Sequence, residues 1–337
     1  MADERDFTWI DGERLIRYRR GAVEEAGLLL AERAFEGYAL LTTERAQGAA
    51  PELANAAAAV LHVPHGGVPD AAAEVRDRVG GRPLVAFGGG RVIDSAKAIA
   101  GADGLRCAAI PTTLSGAELT RIHRMPAGVE RFNLVRPSLV VADPALMASQ
   151  PMPEIAASAM NALGHAVEAL YTPFTNPVAS LAGLKAAELI AAGLADEEPE
   201  RDLLALGSLL GAYALGLAGY AVHHVVCQTL VRVAGTPHAE TNAVMLPHSV
   251  GLMASRAPEA IGRLAGALGA LEEDPAEAAG GIRPLAARAG VTRLSELEVD
   301  EALLPEVAAA ASERAELANT PKPPKERELL ELLRSAL

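Results

Sequence analysis

The chain has 337 residues, half of them hydrophobic but only 3% aromatic, and a formal net charge of −13. Its length exceeds a typical single core and predicts two domains, and with aromatics scarce, Ala, Leu, Gly and Val must fill the interior, which favours close helix packing. The acidic balance leaves no basic stripe to displace counterions and excludes nucleic acid as a partner, while a small anionic substrate responds to a local field and stays open.

The first residues, Met1-Ala2-Asp3-Glu4-Arg5-Asp6, are charged and have no apolar h-region, so no signal peptide is expected. Tyr38–Thr43, Leu84–Phe87, Cys107–Pro111 and Ser138–Asp143 are short apolar runs that read as strands. Ala71–Arg78 and Ile93–Ala100 read as helices between them. This alternation predicts an α/β domain over residues 1–148, a parallel sheet with helices on its faces. From residue 149, near Ser149-Gln150-Pro151-Met152-Pro153, strand signals stop, and residues 149–337 are expected to be all helical. Leu203–Val222 carries no charge and is about the length of a membrane span. It is Gly- and Ala-rich, lacks flanking Lys/Arg clusters and leads directly into His223-His224, so it is read as a buried core helix, with no membrane partner. Thr320–Lys325 is a Pro-rich connection before a last amphipathic helix. Cys107 and Cys227 lie in apolar runs and read as buried, reduced thiols of a cytoplasmic protein.

Gly88-Gly89-Gly90 follows a strand and precedes a helix expected to begin near Val92. Such a turn brings backbone N–H groups and a helix N-terminus to a phosphate, and glycine removes the Cβ that would keep a ligand away. It is neither the GxGxxG fingerprint nor a nucleotide P-loop, and a plain tight turn has the same sequence. The context points to a nucleotide. Asp94 and Lys97 follow in the first turns of the helix, and another strand ends in Thr112, Thr113, Leu114 and Ser115. Polar strand ends at one edge of a sheet make the crevice where α/β proteins bind nucleotides. Thr42, Thr43 and Glu44 end a third strand, and Glu44 is placed either to accept from a ribose hydroxyl or as a surface carboxylate.

Four of the eight histidines, His223, His224, His238 and His248, fall in one stretch of apolar and small residues. His165 stands in a second cluster with Asn161 and Glu168. Imidazole is costly to bury without a partner, so the grouping points to a shared polar pocket and to chemistry.

Phe87–Lys97 resembles the glycine-rich cofactor loop of the iron-containing (group III) alcohol dehydrogenases. Ile110-Pro111-Thr112-Thr113 with Ser115, Gly116 and Glu118 resembles the next motif of that superfamily. Asn161–Tyr171, His223-His224, Cys227, Pro237–Thr241 and Leu246-Pro247-His248 look most like its maleylacetate reductase branch. The resemblance implies a dehydroquinate-synthase-like fold, an N-terminal nucleotide-binding domain and an all-α C-terminal domain, with NADH or NADPH in the cleft between them. It also implies a homodimer.

By the motifs, the positions that bind Fe²⁺ or Zn²⁺ in metal-dependent members are Asn161, His165, His224 and His238 here. Asn is a neutral, weak ligand where a carboxylate would offer charge. The maleylacetate reductase branch carries Asn there too and is regarded as metal-independent, so no metal is expected. That branch usually has His at the position of Gln228, which cannot transfer a proton near neutral pH. His224 is then the first choice for the proton, with His223 and His238 as candidates. The segment from Ile122 to Arg136 is shorter than usual, and Arg121, Arg124 and Arg131 are candidate anion contacts. The implied activity is an NAD(P)H-dependent reductase of an unsaturated or keto (di)carboxylic acid, in aromatic degradation or in a biosynthetic pathway. His165, His224 and His238 would bind the anion and stabilise an enolate while Asn161 holds an oxygen. Two alternatives stand beside it: a metal-dependent alcohol dehydrogenase, and a non-redox lyase, cyclase or binding relative on the same fold.

Overall fold

The computed structural model describes residues 7–131 and 133–337, which divide into two compact units, one ending at Ser149 and the other Gln150–Leu337. The first opens with a hairpin, β1 (Phe7–Asp11) and β2 (Arg14–Tyr18), paired antiparallel. Its turn is Gly12-Glu13, and Gly12 has φ +62, the left-handed backbone that such two-residue hairpins require. There follow α1 (Ala26–Glu32), β3 (Ala39–Thr42), α2 (Glu44–Ala49), α3 (Pro51–Ala56), β4 (Ala59–His62), α4 (Val68–Val79), β5 (Leu84–Gly88), α5 (Gly90–Asp103), β6 (Cys107–Pro111), β7 (Leu139–Ala142) and α6 (Pro144–Met147). The expected strands and helices are present, but α5 begins at Gly90 rather than near Val92, and β1, β2 and β4 are additional to those expected from the sequence.

The strands form one sheet of seven, in the order β1-β2-β7-β6-β5-β3-β4, with every neighbouring pair except β1·β2 parallel. Both faces are covered, which is why its central strands read as unbroken apolar runs. Leu84 and Ala86 of β5 point into a core shared with α4 and α5, while Val85 and Phe87 point into one shared with α1, α2 and α3. The chain goes outward from β3 to β4, then returns to place β5 on the other side of β3. That reversal is a topological switch point, and α/β sheets bind ligands beyond the carboxyl ends of the strands there. The carboxyl ends in question are Thr42 of β3 and Gly88 of β5, because Leu41 pairs with Ala86.

The second unit is helical: α7 (Met152–Glu168), α8 (Pro177–Gly193), α9 (Arg201–Ala218), α10 (Val222–Ala234), α11 (His238–Ala254), α12 (Pro258–Ala267), α13 (Pro275–Ala287), α14 (Leu304–Ser312) and α15 (Glu326–Ser335), joined in part by 3₁₀ turns. Every residue of α7 from Ile155 to Glu168 is buried, so this helix is the core of the unit. Its neighbours approach to backbone distance. A Cβ on Gly183 of α8 would lie 2.8 Å from the Ala166 carbonyl oxygen, and one on Gly211 of α9 would lie 2.8 Å from that of Ala162. The Gly/Ala-rich composition is the means of this packing. Helix α9 is long and apolar enough to cross a membrane by length and composition, but it packs against α7 and α8 and buries Leu204, Leu209 and Leu215. It is a core helix, as its sequence indicated.

Candidate active site

In the first unit, the turn from β5 to α5 places Gly89 as the N-cap of α5; the Val92 and Ile93 N–H groups donate to the Gly89 carbonyl, and those of Gly90 and Arg91 have no intrahelical acceptor. The three glycines are required by the chain itself. A Cβ on Gly88 would come within 2.8 Å of Val92, one on Gly89 within 3.0 Å of Thr113, and one on Gly90 within 2.9 Å of Ser115. The turn is thus pressed against the loop after β6. The arrangement fits a dinucleotide pyrophosphate at the start of α5.

The other expected contacts are placed unevenly. Thr112 and Thr113 are half-buried, and the Thr112 N–H donates to the Gly88 carbonyl at 3.0 Å, stitching the two strand ends together. Leu114 is fully buried in protein, so it is not open to a ligand. Thr42 is also buried, and its hydroxyl donates to the Thr43 carbonyl at 3.3 Å. Thr43 caps α2, and Glu44 is exposed at the first position of that helix. Asp94 is an internal partner: its Oδ1 lies 2.8 Å from Lys97 Nζ. Lys97 is completely buried and donates to the carbonyls of Ala117 (2.8 Å), Thr120 (3.1 Å) and Ile122 (2.9 Å), so it is the anchor of that loop. Beside this loop, burial pushes the Glu118 carboxyl up to about 7, and neither of its oxygens has a hydrogen-bond partner. Of the arginines expected to contact an anion, Arg121 donates to the Leu134 carbonyl at 2.9 Å, and Arg124 and Arg131 are exposed.

In the second unit His165, His223 and His224 converge, whereas His248, expected in the same pocket, pairs instead with Ser335 Oγ at 2.8 Å. Gly164 lets α7 and α10 meet: a Cβ there would lie 2.7 Å from His223 Nε2 and 3.3 Å from His224 Cε1. The rings of His165 and His224 stack with centroids 4.8 Å apart, and His223 meets His224 edge-on at 5.0 Å. Asn161 is one turn before His165 on the same face of α7.

The two adjacent histidines differ in kind. His223 has both ring nitrogens engaged, Nε2 with Asn242 Oδ1 at 3.0 Å and Nδ1 with Ser249 Oγ at 3.2 Å. Asn242 is itself fixed, donating to the His238 carbonyl at 2.7 Å, so its Oδ1 faces His223 and the ring carries its proton on Nε2. His223 is a satisfied core histidine. His224 Nδ1 instead donates to Glu168 Oε2 at 2.6 Å, and its Nε2 is buried without a partner. Glu168 Oε1 accepts from the backbone N–H of His223 at 2.7 Å and from that of His224 at 3.4 Å. Asn161 Oδ1 and His165 Nδ1 are likewise buried without partners. Unpaired buried polar atoms are rare, and three on facing helices mark a place for a polar ligand. Burial holds the imidazoles neutral: His224 and His223 are each driven down to about 3, and His165 well below its ordinary value. The charge of His238, exposed at the first position of α11, adds to the depression of His165 and His224. Cys227 is a buried free thiol against His223, and Cys107 is buried in the first unit.

These residues do not fit a divalent metal. Asn161 and three imidazoles offer no negative charge to offset the ion. The His165 and His224 rings stack at an interplanar angle of 17°, so their in-plane lone pairs run side by side instead of meeting at a centre. Among the described residues, no group of three His, Cys, Asp or Glu is arranged to hold a metal ion.

The motifs of the sequence did not include the neighbours of Gln228. Arg314 donates to its Oε1 at 3.0 Å and to the Tyr220 hydroxyl at 3.1 Å, and Tyr220 stands edge-on to His224 at 6.1 Å. Arg314 is 86 residues from Gln228, just before the 3₁₀ segment Ala315–Asn319, which carries no motif, and nothing in the local sequence signals the contact.

Comparison with known proteins covers nearly the whole chain. Residues 17–151 match the family model described as iron-containing alcohol dehydrogenase, and residues 155–337 match that of the Fe-containing alcohol dehydrogenase family, C-terminal. Maleylacetate reductase 2 of Cupriavidus pinatubonensis is 38% identical over 222 residues, 63% of this chain and 62% of that protein. The match therefore spans less than two thirds of that relative's length. Maleylacetate reductase of Sphingobium indicum is 36% identical over 250 residues, 68% of this chain and 70% of that protein. The crystal structure of maleylacetate reductase from Agrobacterium tumefaciens superimposes with a TM-score of 0.84 at 27% identity, covering 99% of both chains.

Proposed function

The chain belongs to the iron-containing alcohol dehydrogenase family, and from that premise we propose that it is a maleylacetate reductase-like enzyme, an NAD(P)H-dependent reductase of an unsaturated or keto (di)carboxylic acid that works without a metal. The observation that carries this reading is His224, backed by Glu168 on one nitrogen and unpaired on the other, next to Asn161 and His165.

When bound, the nicotinamide supplies a hydride. Gly88, Gly89 and Gly90 with the start of α5 would hold its pyrophosphate, and the ends of β3 and β6 would bear on the rest of the dinucleotide. Asn161 Oδ1 accepts from an O–H of the substrate, an enol or a carboxylic acid. His165 and His224 face the oxygen on which negative charge develops. His224 Nε2 is unprotonated in the neutral resting ring; it takes up the proton once a substrate anion beside it offsets the burial and passes it to the reduced substrate, while the Glu168 carboxylate, bonded to Nδ1, keeps the ring oriented and balances the transient imidazolium. His238 is exposed, so it contributes charge and outer contact to the substrate anion. The same reading makes the protein a cytoplasmic homodimer that reduces ring-cleavage products of aromatic compounds; sedimentation velocity tests the assembly.

The direct test is turnover. Purified protein is mixed with NADH or NADPH and with maleylacetate or a panel of keto and unsaturated diacids, and loss of the reduced cofactor is followed. Oxidation of one cofactor by an acid of this class is expected. If no such acid oxidises either cofactor, the reductase reading fails and a non-redox relative takes its place.

A further inference from the structure

Arg314 is held on three sides. Its Nη2 donates to Gln228 Oε1 at 3.0 Å and to the Tyr220 hydroxyl at 3.1 Å, and its Nε donates to Glu316 Oε2 at 3.2 Å. The Tyr220 hydroxyl donates in turn to Glu316 Oε1 at 2.8 Å, and Asn319 Nδ2 donates to the Tyr220 carbonyl at 2.9 Å. Tyr220 precedes His224 and stands edge-on to it, and Gln228 follows it by one turn of α10. One guanidinium nitrogen thus ties together the residues on either side of His224, whose Nε2 has no partner.

This contact decides the orientation of an amide. A guanidinium has donors and no acceptor, so the Gln228 atom facing it is the carbonyl oxygen. The Nε2 end is turned the other way and keeps two N–H donors for another acceptor. Glu316 balances the charge of Arg314, so the arrangement adds directed donors near His224 and no net positive charge.

We propose that Arg314 is a positioning residue that holds the Gln228 amide with its Nε2 hydrogens presented to a carboxylate or carbonyl oxygen of the substrate beside His224, and that this pair sets the substrate class. The inference rests on the reductase reading for the identity of the site. It adds a specificity contact made by a fixed amide donor, on a residue that cannot exchange a proton near neutral pH.

The test separates donor from scaffold. Gln228→Glu preserves an acceptor for Arg314 and the shape of the side chain, but replaces two donors by an anion. Arg314→Ala frees the amide, and Arg314→Lys retains charge without the fork. The readouts are KM and kcat for maleylacetate, KM for the nicotinamide cofactor, thermal midpoint, and calorimetric affinity for 3-oxoadipate, a saturated 3-oxo diacid bound without turnover. For Gln228→Glu the expected result is an unchanged midpoint, an unchanged cofactor KM, and a rise of roughly 10²-fold in maleylacetate KM and 3-oxoadipate Kd. Arg314→Ala is expected to raise both by about tenfold, with partial recovery in Arg314→Lys. Unchanged affinities in Gln228→Glu overturn the proposal, as does an Arg314→Ala variant that loses kcat and stability while KM stays constant. If wild-type protein binds 3-oxoadipate but oxidises no cofactor, the reductase reading fails while the affinity series still decides the role of Arg314. If wild-type protein does not bind 3-oxoadipate at all, the proposal is overturned.

Discussion

His224 is bonded through Nδ1 to Glu168 Oε2 at 2.6 Å, and its other nitrogen, Nε2, is buried with nothing to bond to. Its sequence neighbour His223 has both nitrogens satisfied, by Asn242 and Ser249. The two rings should therefore fail in different ways. His224→Ala is expected to lower kcat by roughly 10²–10⁴-fold, the scale of lost general acid–base catalysis. Glu168 retains the His223 N–H in that variant, which limits the loss of stability. His223→Ala is expected to cost about 2–3 kcal/mol, because it opens a cavity and strands Asn242 Oδ1, with kcat retained in the folded fraction. Thermal melts and steady-state kinetics on both variants check this, and an exchange of the two phenotypes would reverse the assignment.

Metal content gives the second prediction. Purified protein should contain substoichiometric iron and zinc, and EDTA should leave turnover unchanged. Asn161→Asp adds the missing charge and should raise zinc uptake without raising activity. A stoichiometric metal whose removal abolishes turnover would favour the metal-dependent alternative.

The glycine turn predicts a paired result. In Gly89→Ala the new Cβ would sit 3.0 Å from Thr113 Cγ2 and 3.3 Å from its Oγ1. Fluorescence titration should show nicotinamide cofactor binding weakened about tenfold. Adding Thr113→Ser removes the methyl group in conflict. If the double variant still binds poorly, the glycine serves the ligand; full recovery would mean that it serves only Thr113.

Glu118 predicts a dependence of stability on pH. Its carboxyl is fully buried and pushed up to about 7 from 4.5. Below pH 4.5 it is protonated in both folded and unfolded chains and adds no penalty. Between 4.5 and about 7 the unfolded chain releases the proton and the folded chain retains it, so stability falls as pH rises and levels off above the folded pKa. The shift, in which the lowering by Lys97 is already included, corresponds to about 3 kcal/mol. Glu118→Gln should raise the thermal midpoint at pH 8 and change it little at pH 4. Equal effects at both values would count against the buried acid.

Legibility in the sequence followed burial. Strands β3, β5, β6 and β7 are covered on both faces and announce themselves as apolar runs. β2 was hidden by its arginines. Arg14 is 1% exposed inside the sheet, with one nitrogen on the Leu119 carbonyl at 3.0 Å and another on Asp11, and a charged residue with such partners cannot be told from a surface one by type alone. β4 is an edge strand with half of its residues exposed, and it lacks a periodic signal. At the site, the clustering of His165, His223 and His224 was legible because imidazoles are conspicuous in apolar helices. The division of labour between the adjacent pair was not, since it depends on what the third dimension brings to each ring. Arg314 was missed for the same reason: its partners are distant in the chain and its own surroundings are ordinary.

The close approach of α8, α9 and α10 to α7 has a consequence for how this protein can vary. At Gly183, Gly211 and Gly164 the first obstacle to an added carbon is a carbonyl or an imidazole, with no flexible side chain in between to absorb it. A single methyl group at any of these points acts as a lever on the whole of α7, and α7 carries Asn161, His165 and Glu168 together. Substitution of side chains that project from these helices, such as Gln228, leaves that lever untouched. New substrates are therefore reached by changing what projects from these helices, while a conservative Gly→Ala change on a remote helix face displaces three functional groups at once.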